Sequence, residues 1–289
     1  MMDTSIDSIM KNHPAGFAKL KRTFSLFGRE PGTDSLLNKY LKNRDFKLLV
    51  DDSATMKDHW EGATVLVKCV AVKLLEFNSG GLTLRFLNGR RSVPRGTDAK
   101  SFQKCMKKEH PDNNKPSIAV DVSKQLGECF DEYRNSVDKR MKDFKSMPNP
   151  MTVIMLTNGL WTQNRDQARK VRETIVNCIK KLREPRRLEH SLGDRPFSVE
   201  FVLFGEDEIS KTNFTEYDDE IKNADGCDGQ DIVDWEPWNG NFYKIILGSN
   251  SPVFDDLETS LVPKGRSATS FGLNQERTLG INAAQTWDR

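Results

Sequence analysis

Four short apolar runs, each closed by polar or turn-forming residues and set apart by long stretches of helical spacing, constrain this chain most. They are Phe46-Lys-Leu-Leu-Val50, Leu82 to Leu87, Met151-Thr-Val-Ile-Met-Leu156 and Phe197 to Phe204. Runs of this length, bounded by turn signals, read as buried strands. After the first comes His59 to Phe77, with Trp60, Ala63, Val67, Val70 and Leu74 three and four residues apart. That is the spacing of a helix that lays one face on a sheet. Thr97–Glu109, Val120–Phe144 and Gln163–Leu188 read as helices too. Strands that alternate with helices of this length build βαβ units. The expected fold is α/β: a doubly wound, mostly parallel, Rossmann-like sheet with helices on both faces. After Glu206 the pattern turns acidic and irregular through Asp231–Trp238, and Phe242–Leu247 reads as a short docked helix.

The 289 residues divide into a 1–40 leader, partly disordered with short helices, a 41–260 domain, and a 261–289 disordered tail rich in Gly, Ser, Thr and Asn. Charge is balanced, 44 Lys+Arg against 42 Asp+Glu, which argues against nucleic acid as the main partner. Local basic clusters at Lys19–Arg22, Lys104–Lys108 and Lys180–Arg187 read as solvated helix faces. The five cysteines include no close pair and no zinc spacing, and most sit in helical patterns as small hydrophobes. No run of 18 apolar residues and no apolar signal core occur, so no membrane partner is expected. The reading is a soluble protein in a reducing compartment, cytoplasmic by default.

In open α/β sheets, ligands bind beyond the carboxyl ends of the strands at the topological switch point. The residues after Val50 and after Leu156 are therefore the ones to read for function. After Val50 stand Asp51, Ser53 and Thr55, one carboxylate and two hydroxyls from a single loop. Oxygen donors of this kind suit a hard divalent cation, Mg²⁺ or Mn²⁺, that keeps several waters. The same residues also suit a polar turn that caps the next helix. Trp235 and Trp238 read as covering the edge of a core. The histidines at 13, 59, 110 and 190 are scattered, and no nucleophile elbow, phosphate loop or dinucleotide fingerprint is present. A non-catalytic role is expected. The alternative of a metal-dependent hydrolase using Asp51 and Asp52 would want a second Asp two residues after the first, where Ser53 stands.

Phe46–Asn88 resembles the opening of the von Willebrand factor A fold with its metal-ion-dependent adhesion site. The match is closest to a branch of intracellular, mostly fungal A-domain proteins. It rests on the first strand, Asp51-Asp52-Ser53, Trp60 and Phe86–Asn88, then on Leu126, Tyr133, Thr157-Asn158-Gly159, Phe201–Gly205 and Asp231–Asp234. About Asp45 to Asp256 is covered. The resemblance implies a protein-binding domain in which Asp51, Ser53 and Thr55 hold the cation, Asn158 orients a water on it, and an acidic side chain of the partner completes the coordination. Two positions depart from the family. Its loop Thr falls here at Val120 or Val122, with Ser117 and Ser123 near enough to substitute. Its Asp after the fourth strand is Asn158, an oxygen without charge. A metal-independent scaffold of the same fold, binding through the acidic 206–238 segment, is the alternative function.

Overall fold

The computed structural model describes residues 33–78, 80–89, 91–111, 121–183 and 195–250. Residues 1–32, Ser117, Val120 and the 261–289 tail lie outside them.

Three central strands, β1 (Asp45–Val50), β4 (Met151–Thr157) and β5 (Phe197–Leu203), are buried along almost their whole length. That matches their near-continuous apolar sequence and the covering of both sheet faces. β2 (Leu82–Phe86) alternates buried and half-buried residues. β3 (Ser92–Gly96) is an exposed edge strand with Pro94 inside it, and β6 (Val233–Pro237) forms the other edge. The order is β3-β2-β1-β4-β5-β6, parallel throughout except that β3 runs antiparallel to β2. The sheet is an open, doubly wound, Rossmann-like one.

The chain first winds outward from β1 to β3, then returns and winds the other way from β4 to β6. Helices crossing in opposite directions lie on opposite faces when the crossovers keep one hand. On one face sit α1 (Thr33–Leu41), α2 (Trp60–Phe77), α3 (Ala99–Lys108) and α7 (Phe242–Leu247), over Leu48, Val50, Ile154, Leu156, Val202 and Phe204. On the other sit α4 (Val122–Lys142), α5 (Arg165–Arg183) and α6 (Glu208–Glu220), over Leu49, Val153, Met155, Val199, Phe201 and Leu203. The period-two alternation of each strand thus supplies two cores from one sequence.

α2 buries more than a single stripe, because α3 packs on its outer side and Met106 O accepts a bond of 3.1 Å from Trp60 Nε1. Leu37 and Leu41 of α1 belong to the same core. All five cysteines are buried and free, and burial pushes the thiols of Cys69 and Cys178 up to about 12. Trp238 stacks on Phe204 on one face, and Trp235 lies against Phe214 on the other, each covering a core margin.

Two stretches depart from the sequence reading. The acidic 206–238 stretch is not irregular: it holds α6, capped by Asp207, and β6. Its acids hide the strand in sequence, because Asp234 and Glu236 are buried where an alternating pattern would put a solvated side. β3 carries no apolar run at all, since an edge strand with little buried surface needs none. Among the described residues no helix is long and apolar enough to cross a membrane.

Candidate functional site

β1 and β4 are the two neighbours from which the chain departs in opposite directions, so the switch point lies between their carboxyl ends. Asp51 follows β1 and its N–H still bonds Leu156 O across to β4 at 2.9 Å. This last ladder bond places the Asp51–Thr55 loop beside Thr157-Asn158-Gly159.

Asp51 is 1% exposed. Its Oδ1 accepts the Ser53 N–H at 3.0 Å, and its Oδ2 accepts the Thr157 hydroxyl at 2.7 Å. Burial pushes its carboxyl above the usual aspartate range, against the hydrogen bonds from Ser53 and Thr157 that favour the ionised form. Above Asp51, Ser53 is half-buried and Thr55 exposed. Their hydroxyl oxygens lie 2.9 Å apart, and Thr55 Oγ1 donates to Asn158 Oδ1 at 3.4 Å. Ser53 sits at the N-cap of the 3-10 turn Ala54–His59, yet its side chain makes no capping bond. The hydroxyls pair with each other, and Asp51 Oδ1 holds the Ser53 N–H that leads into the turn.

Asn158 is held from three sides. Its Nδ2 donates to Thr55 O at 2.9 Å, and its Oδ1 also accepts the Leu160 N–H at 3.3 Å. These contacts assign which end of the amide is oxygen. They also explain the amide chemically: an aspartate here would set a carboxylate oxygen against the Thr55 carbonyl.

Sequence reading passed over Thr157 as a site residue. It is the hub of the arrangement, donating to Asp51 while its oxygen accepts Gly159 N–H at 3.0 Å and Trp161 Nε1–H at 3.1 Å. A hydroxyl that ends a fully buried strand beside a candidate site was the available signal. Asp52 turns away from the site: it is buried and accepts Asn88 N–H at 2.7 Å, tying the loop to the end of β2.

The structure thus brings Asp51, Ser53, Thr55 and Asn158 together. Ser123 is placed differently: its hydroxyl donates to Asp121 Oδ1 at 2.7 Å, where Asp121 caps α4. Val122, one of the two positions at which the resemblance would place a Thr, is buried in the core. As a donor set for a cation, the cluster offers one carboxylate, two hydroxyls and one amide oxygen, all hard oxygens suited to Mg²⁺. It brings a single formal negative charge. Among the described residues, no group of three or more His, Cys, Asp or Glu side chains is arranged to hold a metal. The sequence matches no protein-family model and no curated protein.

Proposed function

We propose that this chain is a non-catalytic protein-interaction module of the von Willebrand factor A type. Its site at the carboxyl ends of β1 and β4 binds an acidic side chain of a partner protein with the help of a divalent cation. One observation carries the reading. Two hydroxyls from one loop, 2.9 Å apart, stand over the buried Asp51, and that of Thr55 lies 3.4 Å from the Asn158 oxygen, at the switch point of the sheet. Asp51, Ser53 and Thr55 would hold Mg²⁺ or Mn²⁺, and Asn158 would orient a water. The cation would supply a positive anchor for the partner's carboxylate. With one carboxylate in the donor set, little charge offsets the dehydration of Mg²⁺, so the partner's acid contributes what the site lacks. The five buried thiols fit a reducing compartment such as the cytoplasm, where the resembling branch is found.

The test is the melting temperature in chelator and in excess Mg²⁺ or Mn²⁺. A cation at about 100 times its dissociation constant adds ~2.7 kcal/mol. The rise should vanish in Ser53→Ala/Thr55→Ala, which removes the outward hydroxyls and leaves the bonds from Ser53 N–H and Thr157 to Asp51 in place. No rise in the unaltered chain at any cation level overturns the metal-dependent reading.

One observation favours a second reading, a metal-independent scaffold. Both Asp51 oxygens and both Asn158 amide atoms already have protein partners, so the cluster stands closed without a cation. Partner capture that survives chelator and Thr55→Ala would select it.

A further inference from the structure

Two large apolar side chains stand out in water among the described residues, Phe144 at 97% exposure and Ile209 at 51%. Phe144 comes after α4 and shortly before β4, so it lies at the amino ends of the strands. Ile209 is in the first turn of α6, which follows β5, so it lies at the carboxyl ends. β4 and β5 run parallel and side by side, and the two residues therefore stand at opposite ends of the sheet.

Phe144 holds its position against its own backbone preference. Its φ is +52°, in the left-handed region. Lys145 N–H donates to Arg140 O at 2.9 Å and Phe144 N–H to Met141 O at 3.2 Å. This is the Schellman pairing, with Phe144 at the position that glycine ordinarily takes. A Cβ is strained there, and the ring buries almost nothing in return. The turn is nonetheless fixed, since Arg140 Nη1 donates to Ser146 O at 2.9 Å and to Ser146 Oγ at 3.4 Å. Strain in a fixed turn, with no gain inside the chain, points to a contact outside it.

The charges around the two side chains differ in sign. Lys139, Lys142 and Lys145 are exposed around Phe144. The acids near them are already paired, Asp143 with Lys145 at 3.2 Å and Asp138 with Arg134 at 3.1 Å. Around Ile209 the exposed charges are mostly carboxylates. Glu206 and Glu208 flank it and share Lys211, the only base of α6, at 2.7 and 2.9 Å. Two and three turns on, helical spacing sets the exposed Glu216 and Glu220 on the same stripe as Ile209.

We infer that the Phe144 end of one copy of this chain docks on the Ile209 end of a second copy, ring against isoleucine and lysines against the carboxylates of α6. The two patches differ and lie at opposite ends, so the contact is heterologous, and every added copy leaves one patch of each kind open. The charged surroundings make the association weaken with salt. No cation at Asp51 takes part in this contact.

Sedimentation velocity of the full chain up to about 1 mM, at about 0.01 M and about 1 M salt, tests the docking. At low salt the mean mass should climb past that of two chains as concentration rises, and at high salt it should fall back toward that of one. Phe144→Gly relieves the left-handed strain and should not lower the melting temperature. It and Ile209→Ser should each stay monomeric alone. Mixed in equal amounts they should form a species of two chains and none larger, because each keeps the patch that the other has lost. Should Ile209→Ser not fold, Glu216→Lys/Glu220→Lys takes its place in the mixture, with the same result expected. An unaltered chain that stays monomeric at low salt, or that stops at two copies, overturns the inference. So does association that salt strengthens, association of either variant alone, or a mixture that remains monomeric.

Discussion

Thr157 shows how much one hydroxyl can organise. It satisfies a buried carboxylate, a glycine N–H and an indole N–H at once. Thr157→Val keeps the shape and removes all three bonds, leaving an Asp51 oxygen buried without its donor. The expected loss is about 1–3 kcal/mol in urea unfolding at neutral pH. The sign of its pH dependence follows from Asp51, whose folded carboxyl is held above the usual range, chiefly by burial. Such a group loses stability as pH rises through the folded value, and taking away the Thr157 donor pushes that value higher. The deficit of Thr157→Val should therefore be smaller near about pH 4 than near about pH 7. An equal deficit at both would mean that Asp51 does not feel the hydroxyl.

At the scale of elements, the sheet is tied to α4 by one acid and two bases. Glu132 Oε2 meets Lys47 Nζ of β1 at 2.5 Å, and its Oε1 meets Arg85 Nη1 of β2 at 2.5 Å. Burial alone would raise the Glu132 carboxyl, but Arg85 and Lys47 outweigh it and hold it below the usual range. Lys47 side chain is only 9% exposed, so Glu132→Ala strands a nearly buried ammonium while Arg85 can turn to water. The predicted cost is about 1–3 kcal/mol, measured by urea unfolding, and Glu132→Ala/Lys47→Met should recover most of it. A double variant no better than the single one would place the cost elsewhere. The edge elements teach a related lesson. β3 and β6 were not legible as strands, because β3 buries little and the two inward acids of β6 read in sequence as a solvated side. The central strands were legible, since burial on both faces demands apolar residues at nearly every position.

For the molecule as a whole, stability should fall as pH rises across the mildly acidic range. Burial raises the Glu200 and Asp51 carboxyls, and burial with Asp231 nearby raises Asp218 to about 6. Each of these contributes stability that is lost as pH rises through its folded value. Glu132, Asp121 and Asp207 are shifted downward, so their contribution is lost only on stronger acidification. A melting temperature higher near about pH 5.5 than near about pH 7.5 is expected, with the difference reduced in Asp218→Asn. A rise toward the higher pH would show that the buried acids are ionised throughout.

Local pattern was enough for the class of fold and for one half of the site. Apolar runs and helical spacing act over a few residues, and they are what a strand or a helix must satisfy wherever it ends up. The Asp51–Thr55 loop was legible for the same reason, lying just after a recognisable strand. Everything that depends on which strands are neighbours was decided only in three dimensions. Thr157 meets Asp51 because β4 lies beside β1, over a separation of 106 residues. Glu200 lies beside Asp234 because β6 pairs with β5, and Lys244 reaches Asp234 and Glu236 because α7 folds back over them. A buried charge reads as a solvated one in sequence. Its partner, which makes burial affordable, is chosen by the order of strands and not by the residues on either side.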